Sequence, residues 1–227
     1  MKKRVILVLL VCVIVLPSFA EETDWKKLQE ESVSLRKQGQ YDNAIAVANK
    51  ALEIAEKQPG PNQLAVASIL NSLADMYRTQ RQYAQAEPLY QRSLAIREKA
   101  LGPDHPFTAQ SLSGLATVYF NQKQYAKAEP LYKRALEIKE KSFGPDHTDV
   151  ATALTALAGL YISQEQYAQA EPLFKRALAI FEKARGPNHP EVAKSLQHIA
   201  RLYRKTGREK EAEELEKRAA AIDALKK

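Results

Sequence analysis

Cysteine is nearly missing from this sequence. The single one, Cys12, leaves no possibility of an intrachain disulfide or a thiolate metal site. Glycine is also scarce, at eight in 227 residues. No glycine-rich loop is present to cradle a phosphate, and there is no His-Glu-x-x-His pair and no nucleophile elbow. Carboxylates such as Glu137 and Glu140 alternate with Lys139 and Lys141, as on a solvated helix face. These absences point away from an enzyme, and no cofactor or metal is expected. Long apolar runs are missing too, with one exception at the N-terminus.

That exception, Val5 to Leu16, follows Lys2, Lys3 and Arg4 and precedes the small residues of "PSFA". The three-part pattern predicts a secretory signal segment over residues 1–20, cleaved after Ala20. Twelve apolar residues fall short of the roughly 20 that a membrane-spanning helix needs. An uncleaved anchor extending through Phe19 and Ala20 is the alternative, and is the only membrane contact expected. Cys12 sits mid-run behind Val11, so lipid attachment there is not expected. Removing residues 1–20 takes away three basic residues and no acidic one, so the net charge falls from +7 to +4. That balance gives little support to nucleic-acid binding. Export to a periplasm or beyond the cell, in a bacterium, is the expected localisation.

What the sequence has in quantity is self-similarity. "AEPLYQRSLAIREKALGPDHP" begins at Ala86, "AEPLYKRALEIKEKSFGPDHT" at Ala128 and "AEPLFKRALAIFEKARGPNHP" at Ala170, each 42 residues after the last. Residues 83–124 and 125–166 agree at 23 of 42 positions without a gap. Tyr41, Tyr83, Tyr125 and Tyr167 hold the register, and a weaker copy follows from Glu209. Leu112, Leu115, Ala116 and Tyr119 recur at spacings of three and four. So do Ala128, Leu131, Tyr132, Ala135 and Leu136. Each unit therefore reads as two amphipathic helices, held antiparallel by the short "QKQ" and "GPDH" connections. One such pair cannot bury both stripes, and stacking the pairs does. Five units are expected, at about 23–58, 62–100, 104–142, 146–184 and 188–226, forming one repeat domain over 21–227. Alanines mark the close approaches: Ala74, Ala116, Ala158 and Ala200 in the first helices, and Ala44, Ala86, Ala128, Ala170 and Ala212 in the second.

Leu–small–Tyr in the first helix and Tyr-x-x-Ala in the second resemble the tetratricopeptide repeat. The 42-residue period and the "GPDHP" and "QYA.AEPLY.RAL" wording resemble its kinesin-light-chain type, which is common in bacterial proteins. The resemblance implies an all-α fold, a right-handed α-solenoid of about five antiparallel helix pairs. It also implies a non-catalytic module for protein–protein interaction.

His105, His147 and His189 stand in the "GPDH" and "GPNH" connections, one per unit. A shared zinc would need their nitrogens about 2.0–2.1 Å from one point. Equivalent residues of successive units stand at least a helix spacing apart, about 8–10 Å. The motif is therefore expected to be structural. Asp104, Asp146 and Asn188 are the expected N-caps, Pro106 and Pro190 sit in first turns, and Gly102, Gly144 and Gly186 close the second helices. Pro88, Pro130 and Pro172 are expected to shape the entry of each second helix. His198 is expected on the surface or between units.

By resemblance, ligands of this family touch five positions of each first helix on the concave side. In this sequence they are Ser68, Asn71, Asp75, Arg78 and Thr79; Gln110, Ser113, Thr117, Phe120 and Asn121; Thr152, Thr155, Gly159, Ile162 and Ser163; and Lys194, Gln197, Arg201, Arg204 and Lys205. The strip is polar and small at its centre, with Phe120 and Ile162 as apolar contact points, and basic at its C-terminal end. An extended peptide or protein segment with an apolar centre and an acidic end would match it. Asn71, Ser113 and Thr155 could bond the peptide backbone, and Arg201 or Arg204 could grip a carboxylate with two prongs. The paired asparagines typical of kinesin light chains are not kept: Ser72, Gly114, Ala156 and His198 stand at the second position. A structural role in an envelope complex, through the convex face or the ends, is the alternative. The neutral centre argues against a nucleic-acid groove.

Overall fold

The computed structural model describes residues 19–57 and 63–225, with side chains from Trp25 onward. The expected signal segment, its alternative as an anchor and Cys12 lie outside the described residues, apart from the backbone of Phe19 and Ala20. The described residues form ten α-helices and no strand, and none of these helices is long and apolar enough to cross a membrane. Contacts divide the chain into two compact units, residues 1–59 and 60–227.

The first unit is one helix pair, α1 (Phe19–Lys37) against α2 (Tyr41–Lys57). Helix α2 buries Ala44, Ile45, Ala48, Ala51 and Ala55, a stripe at spacings of one, three and four. Ser32 Oγ donates to the Ala44 carbonyl at 2.8 Å, so the small residues bring the two backbones within reach of a side chain as short as serine.

The second unit is four pairs in succession: α3 (Gln63–Thr79) with α4 (Tyr83–Leu101), α5 (Pro106–Asn121) with α6 (Tyr125–Phe143), α7 (Thr148–Ser163) with α8 (Tyr167–Arg185), and α9 (Pro190–Lys205) with α10 (Glu209–Ala224). Helices α4, α6 and α8 also pack on the first helix of the next pair, and α3 meets α5 directly. Helices α5, α7 and α9 are thus enclosed on two sides. Helix α7 buries Val150, Ala151, Ala153, Leu154, Leu157, Ala158, Leu160 and Tyr161, whereas α6 buries only Ala128, Tyr132, Ala135 and Ile138. The repeated alanines of both helix types in this unit are at most 1% exposed. Leu112, Leu154 and Leu196, one to a pair, are fully buried; truncating any of them to Ala would cost about 2–5 kcal/mol.

The turn inside each pair is a Schellman motif. Gln82 N–H bonds the Tyr77 carbonyl and Arg81 N–H the Arg78 carbonyl, and the same two bonds recur at Lys123–Gln124, Glu165–Gln166 and Gly207–Arg208. The motif needs a left-handed residue. Gly207 supplies one cheaply, but Arg81, Lys123 and Glu165 hold φ near +60° without being glycine.

The connection between pairs differs from the sequence expectation. The N-caps are the histidines, not Asp104, Asp146 and Asn188. His105 Nδ1 accepts from Phe107 N–H at 3.1 Å, His147 Nδ1 from Asp149 N–H at 3.1 Å, and His189 Nδ1 from Glu191 N–H at 3.3 Å. Each histidine has extended backbone and an acceptor nitrogen at the reach of a capping oxygen, so it does what Asp or Asn would do one residue earlier. Asp146 instead receives Lys183 from the next pair. Gly102, Gly144 and Gly186 end the second helices with φ of 83–92° and ψ near 160°, a region open essentially to glycine alone.

Pro88, Pro130 and Pro172 sit five residues past the start of their helices, deeper than a first-turn entry, and each helix runs on past them. All three are exposed, so water can satisfy the carbonyl one turn back that they leave without a donor. The glutamate before each proline braces neighbouring pairs. Tyr119 donates to Glu87 at 3.0 Å, Tyr161 to Glu129 at 3.1 Å and Tyr203 to Glu171 at 3.1 Å. Arginines 36 residues on repeat a second brace between successive second helices: Arg134 with Glu98, Arg176 with Glu140 and Arg218 with Glu182.

Candidate functional site

One ring per pair sets the chemistry of the first-helix face. Tyr90, Tyr132 and Phe174 occupy one register of α4, α6 and α8. Tyr90 meets Asp75 of its own pair and Gly114 of the next, Tyr132 meets Thr117, and Phe174 stacks on His198 of the next pair and lines a recess with Gly159. Asp75, Thr117 and Gly159 share one register, and Gly114, Ala156 and His198 another. The side chains at these positions decide whether the face is closed or open.

At α3–α5 the face is closed. Tyr90 is fully buried, and its hydroxyl donates to Asp75 Oδ1 at 2.6 Å. Arg78 completes the triangle, with Nε on Tyr90 Oη at 3.2 Å and Nη2 on Asp75 Oδ1 at 3.2 Å. Burial, then the Asp75 carboxylate, pushes the Tyr90 phenol far above its ordinary range. Gly114 exists to admit the ring, since a Cβ there would stand 2.2 Å from Tyr90 Cε1. Asn71, expected in the groove, is only 3% exposed. Its Oδ1 accepts from Arg97 Nη1 at 3.4 Å and Ser111 Oγ at 3.2 Å, and its Nδ2 donates to Asp75 at 3.3 Å. It is part of an interior polar network, in which Gln110 also accepts from Arg97 at 3.1 Å. Its amide is spent on that network. Ser68 is half-buried, and Thr79 turns its hydroxyl back to the Asp75 carbonyl.

In the middle, Tyr132 meets Thr117 at 3.0 Å, hydroxyl to hydroxyl. Thr117 donates to the Ser113 carbonyl at 2.8 Å, Thr155 to the Ala151 carbonyl at 2.8 Å and Thr152 to the Thr148 carbonyl at 3.1 Å. These threonines keep lone pairs for a ligand, but their protons are committed to their own helices. Phe120 is half-buried with its ring 5.8 Å from that of Tyr125, and Asn121 is exposed at the helix end.

At α7–α9 the face is open. Gly159 has no side chain where Asp75 and Thr117 stand, and nothing lies within 4 Å of where its Cβ would be. Phe174 correspondingly has no hydroxyl. The result is a recess of ≈ 610 Å³ lined by Gly159, Ile162, Phe174, His198, Arg201, Leu202, Arg204 and Lys205. A second, of ≈ 340 Å³, is lined by Thr152, Thr155, Ala156, Phe181, Glu191, Lys194, Ser195 and His198. His198 belongs to both. Its ring lies parallel to that of Phe174, 5.4 Å away with 5° between the planes. Burial, then Arg201 and Lys194, hold its imidazole below the usual histidine value. The sequence reading left His198 out of the site. The signal was there, since it is the only titratable residue in the Ser72, Gly114, Ala156, His198 register.

The basic end is divided. Arg204, expected to grip a ligand carboxylate, already holds Glu216 with two prongs at 2.9 and 2.7 Å and Glu209 at 2.6 Å, tying α9 to α10. Gln197 reaches Asp223 at 3.4 Å. Lys194, Arg201 and Lys205 are exposed and, among the described residues, form no ion pair. No group of three or more His, Cys, Asp or Glu side chains among the described residues could hold a metal ion.

The tetratricopeptide repeat profile matches residues 32–99, 65–141, 109–183 and 149–224. The chain belongs to the tetratricopeptide repeat family. Among solved structures, BtubC (BKLC) from P. vanneervenii is similar at 20% identity and a TM-score of 0.78, over 91% of this chain and 89% of that one. A putative kinesin light chain of Podospora anserina with nearly identical repeats is 25% identical, with a TM-score of 0.73 over 89% and 96%. A Rap protein, 22% identical with a TM-score of 0.74, shares the fold over 92% of this chain but only 55% of its own. No curated protein matches. Repeats of this family typically serve protein–protein interaction, generally as non-catalytic scaffolds.

Proposed function

We propose that this tetratricopeptide protein is a non-catalytic binding module whose first-helix face, at α7 and α9, holds an extended protein segment. The observation behind the proposal is the pairing of an apolar floor, Phe174 and Ile162, with three cations that form no ion pair among the described residues. An apolar side chain seated over Phe174 places a neighbouring acidic residue near Arg201 and Lys205, where a charge-assisted hydrogen bond replaces water. The fold is compatible with such use: the related Rap protein is complexed with competence and sporulation factor. Export through residues 1–20 is part of the same proposal, and the N-terminal residue of protein purified from its native compartment tests it.

The binding test is photocrosslinking from Ile162 and from Arg201 in the native compartment, with identification of the captured segment. Arg201→Glu with Lys205→Glu should abolish capture while helicity is kept. Arg204 is left intact, because changing it would loosen α10. Capture unchanged by the double substitution would remove the groove reading and leave the assembly role, through the outer face or the ends.

A further inference from the structure

The two recesses between α7 and α9 meet at one titratable side chain. His198 lines both recesses, and it makes no hydrogen bond within the described residues. The helices around it differ sharply in charge. Helices α7 and α8 present hydroxyl, aliphatic and aromatic groups to the recesses, with nothing that titrates. The charges facing His198 stand on α9: Lys194 one turn before it and Arg201 one turn after, Arg204 and Lys205 at the rim of the larger recess, and Glu191 on the smaller. From α10, Glu209 and Glu216 enter the balance through their pairing with Arg204.

We propose that His198 is a proton-linked hydrogen-bond donor to a ligand carboxylate, so that this face binds an acidic segment more tightly as pH falls. The inference rests on the segment-binding reading above and adds to it a specificity-determining residue and a pH dependence. In the free protein burial and two neighbouring cations penalise the charged imidazole. A carboxylate arriving between Lys194 and Arg201 reverses that penalty. The proton then taken up by His198 comes from solvent, and the imidazolium is further favoured by the face of the Phe174 ring. Because the bound form has the higher imidazole pKa, the added affinity is fully present below the free-state value. It fades as pH rises through the bound-state value. The equivalent positions of the earlier pairs, Ser72, Gly114 and Ala156, cannot do this.

The test uses the full chain and a decapeptide of alternating glutamate and leucine carrying tetramethylrhodamine, whose emission does not follow pH in this range. Binding is measured by anisotropy from pH 5.5 to 8. A one-unit rise of the His198 pKa on binding corresponds to about a tenfold gain in affinity at the acidic end. His198→Gln is expected to bind at all pH values as the parent does at pH 8. A parent and variant with the same slope would overturn the inference and leave the binding reading standing. A glutamine–leucine control with the parent's slope would overturn the carboxylate assignment. No binding of either peptide at any pH would remove the binding reading and this inference together. Should His198→Gln fail to fold, the imidazole resonance of the parent decides: its pKa must rise when the glutamate peptide is added.

Discussion

Two helical glycines of the second unit, Gly114 and Gly159, are expected to respond oppositely to the same substitution. An alanine in a helix interior stabilises by about 0.5–1 kcal/mol relative to glycine, through the unfolded chain's lost freedom. At Gly159 that gain stands alone, since the new Cβ meets nothing within 4 Å. At Gly114 the Cβ would stand 2.2, 2.5 and 2.8 Å from three atoms of the Tyr90 ring. The ring cannot swing aside, because its hydroxyl is fixed to Asp75 and Arg78 and it has no exposed surface. Overpacking costs about 1–3 kcal/mol, and loss of the hydrogen bond to the Asp75 carboxylate about 1.5–3 more if the ring is expelled. Net of the alanine gain, Gly114→Ala is therefore expected to destabilise by about 1–2 kcal/mol with the ring in place and by up to about 5 kcal/mol with it expelled, and Gly159→Ala to stabilise by up to about 1 kcal/mol. Urea unfolding followed by circular dichroism would show midpoints moving in opposite directions, by about 0.5–1 M or more in the first case for a slope near 2 kcal/mol/M. Midpoints moving the same way, or an unchanged midpoint for Gly114→Ala, would refute the packing of Tyr90 against α5.

Further outcomes follow from the same geometry. His147→Ala removes a cap and should cost about 1 kcal/mol in thermal or urea unfolding, with His147→Asp recovering most of it. Lys123→Gly relieves a non-glycine residue from φ near +60° and should raise stability by about 1 kcal/mol in the same measurement. The hydrogen bond from Lys175, joined by those from Arg208 and Tyr203 and opposed by partial burial, lowers Glu171 to about 2. Its folded value lies below its unfolded one, so this support is complete above about pH 4.5 and lost as pH falls toward 2. Glu171→Gln should flatten the acid limb of stability across that window, by no more than about 1 kcal/mol because Glu171 and both its cationic partners keep contact with solvent that screens the pairs. Gly159→Asp with Phe174→Tyr copies the Asp75–Tyr90 closure into α7–α8. It should fill the larger recess and abolish glutamate–leucine peptide binding, with the unfolding midpoint held.

The helix pairs were legible because the apolar stripes and the alanines are local, repeated signals that need no knowledge of what lies opposite. The caps were misplaced for a local reason too. Asp104 and His105 are adjacent, both can accept from an N–H, and only the backbone torsions show that the histidine is the extended residue next to the helix. Asn71 and Arg204 were misread because their partners lie elsewhere in the chain. Nothing near residue 71 announces Arg97 and Ser111, and nothing near residue 204 announces Glu216, except that both lie a helix or more downstream.

The open and closed ends of the face were nonetheless written in the 42-residue register. Asp75, Thr117 and Gly159 lose a polar side chain step by step, while Tyr90, Tyr132 and Phe174 keep the hydroxyl only as long as a partner for it remains. A buried tyrosine hydroxyl without a partner would cost about 1–3 kcal/mol, so the change at Gly159 and the absence of the hydroxyl at Phe174 belong together. Read down the register, the two columns say where the face is filled with its own polar contacts and where it is left vacant. They place the vacancy under the histidine and next to the unpaired cations of α9. Within α3 to α8 the hydrogen bond is lost only at α7–α8, next to the basic end of the face, and that coincidence is what supports the proposed binding there.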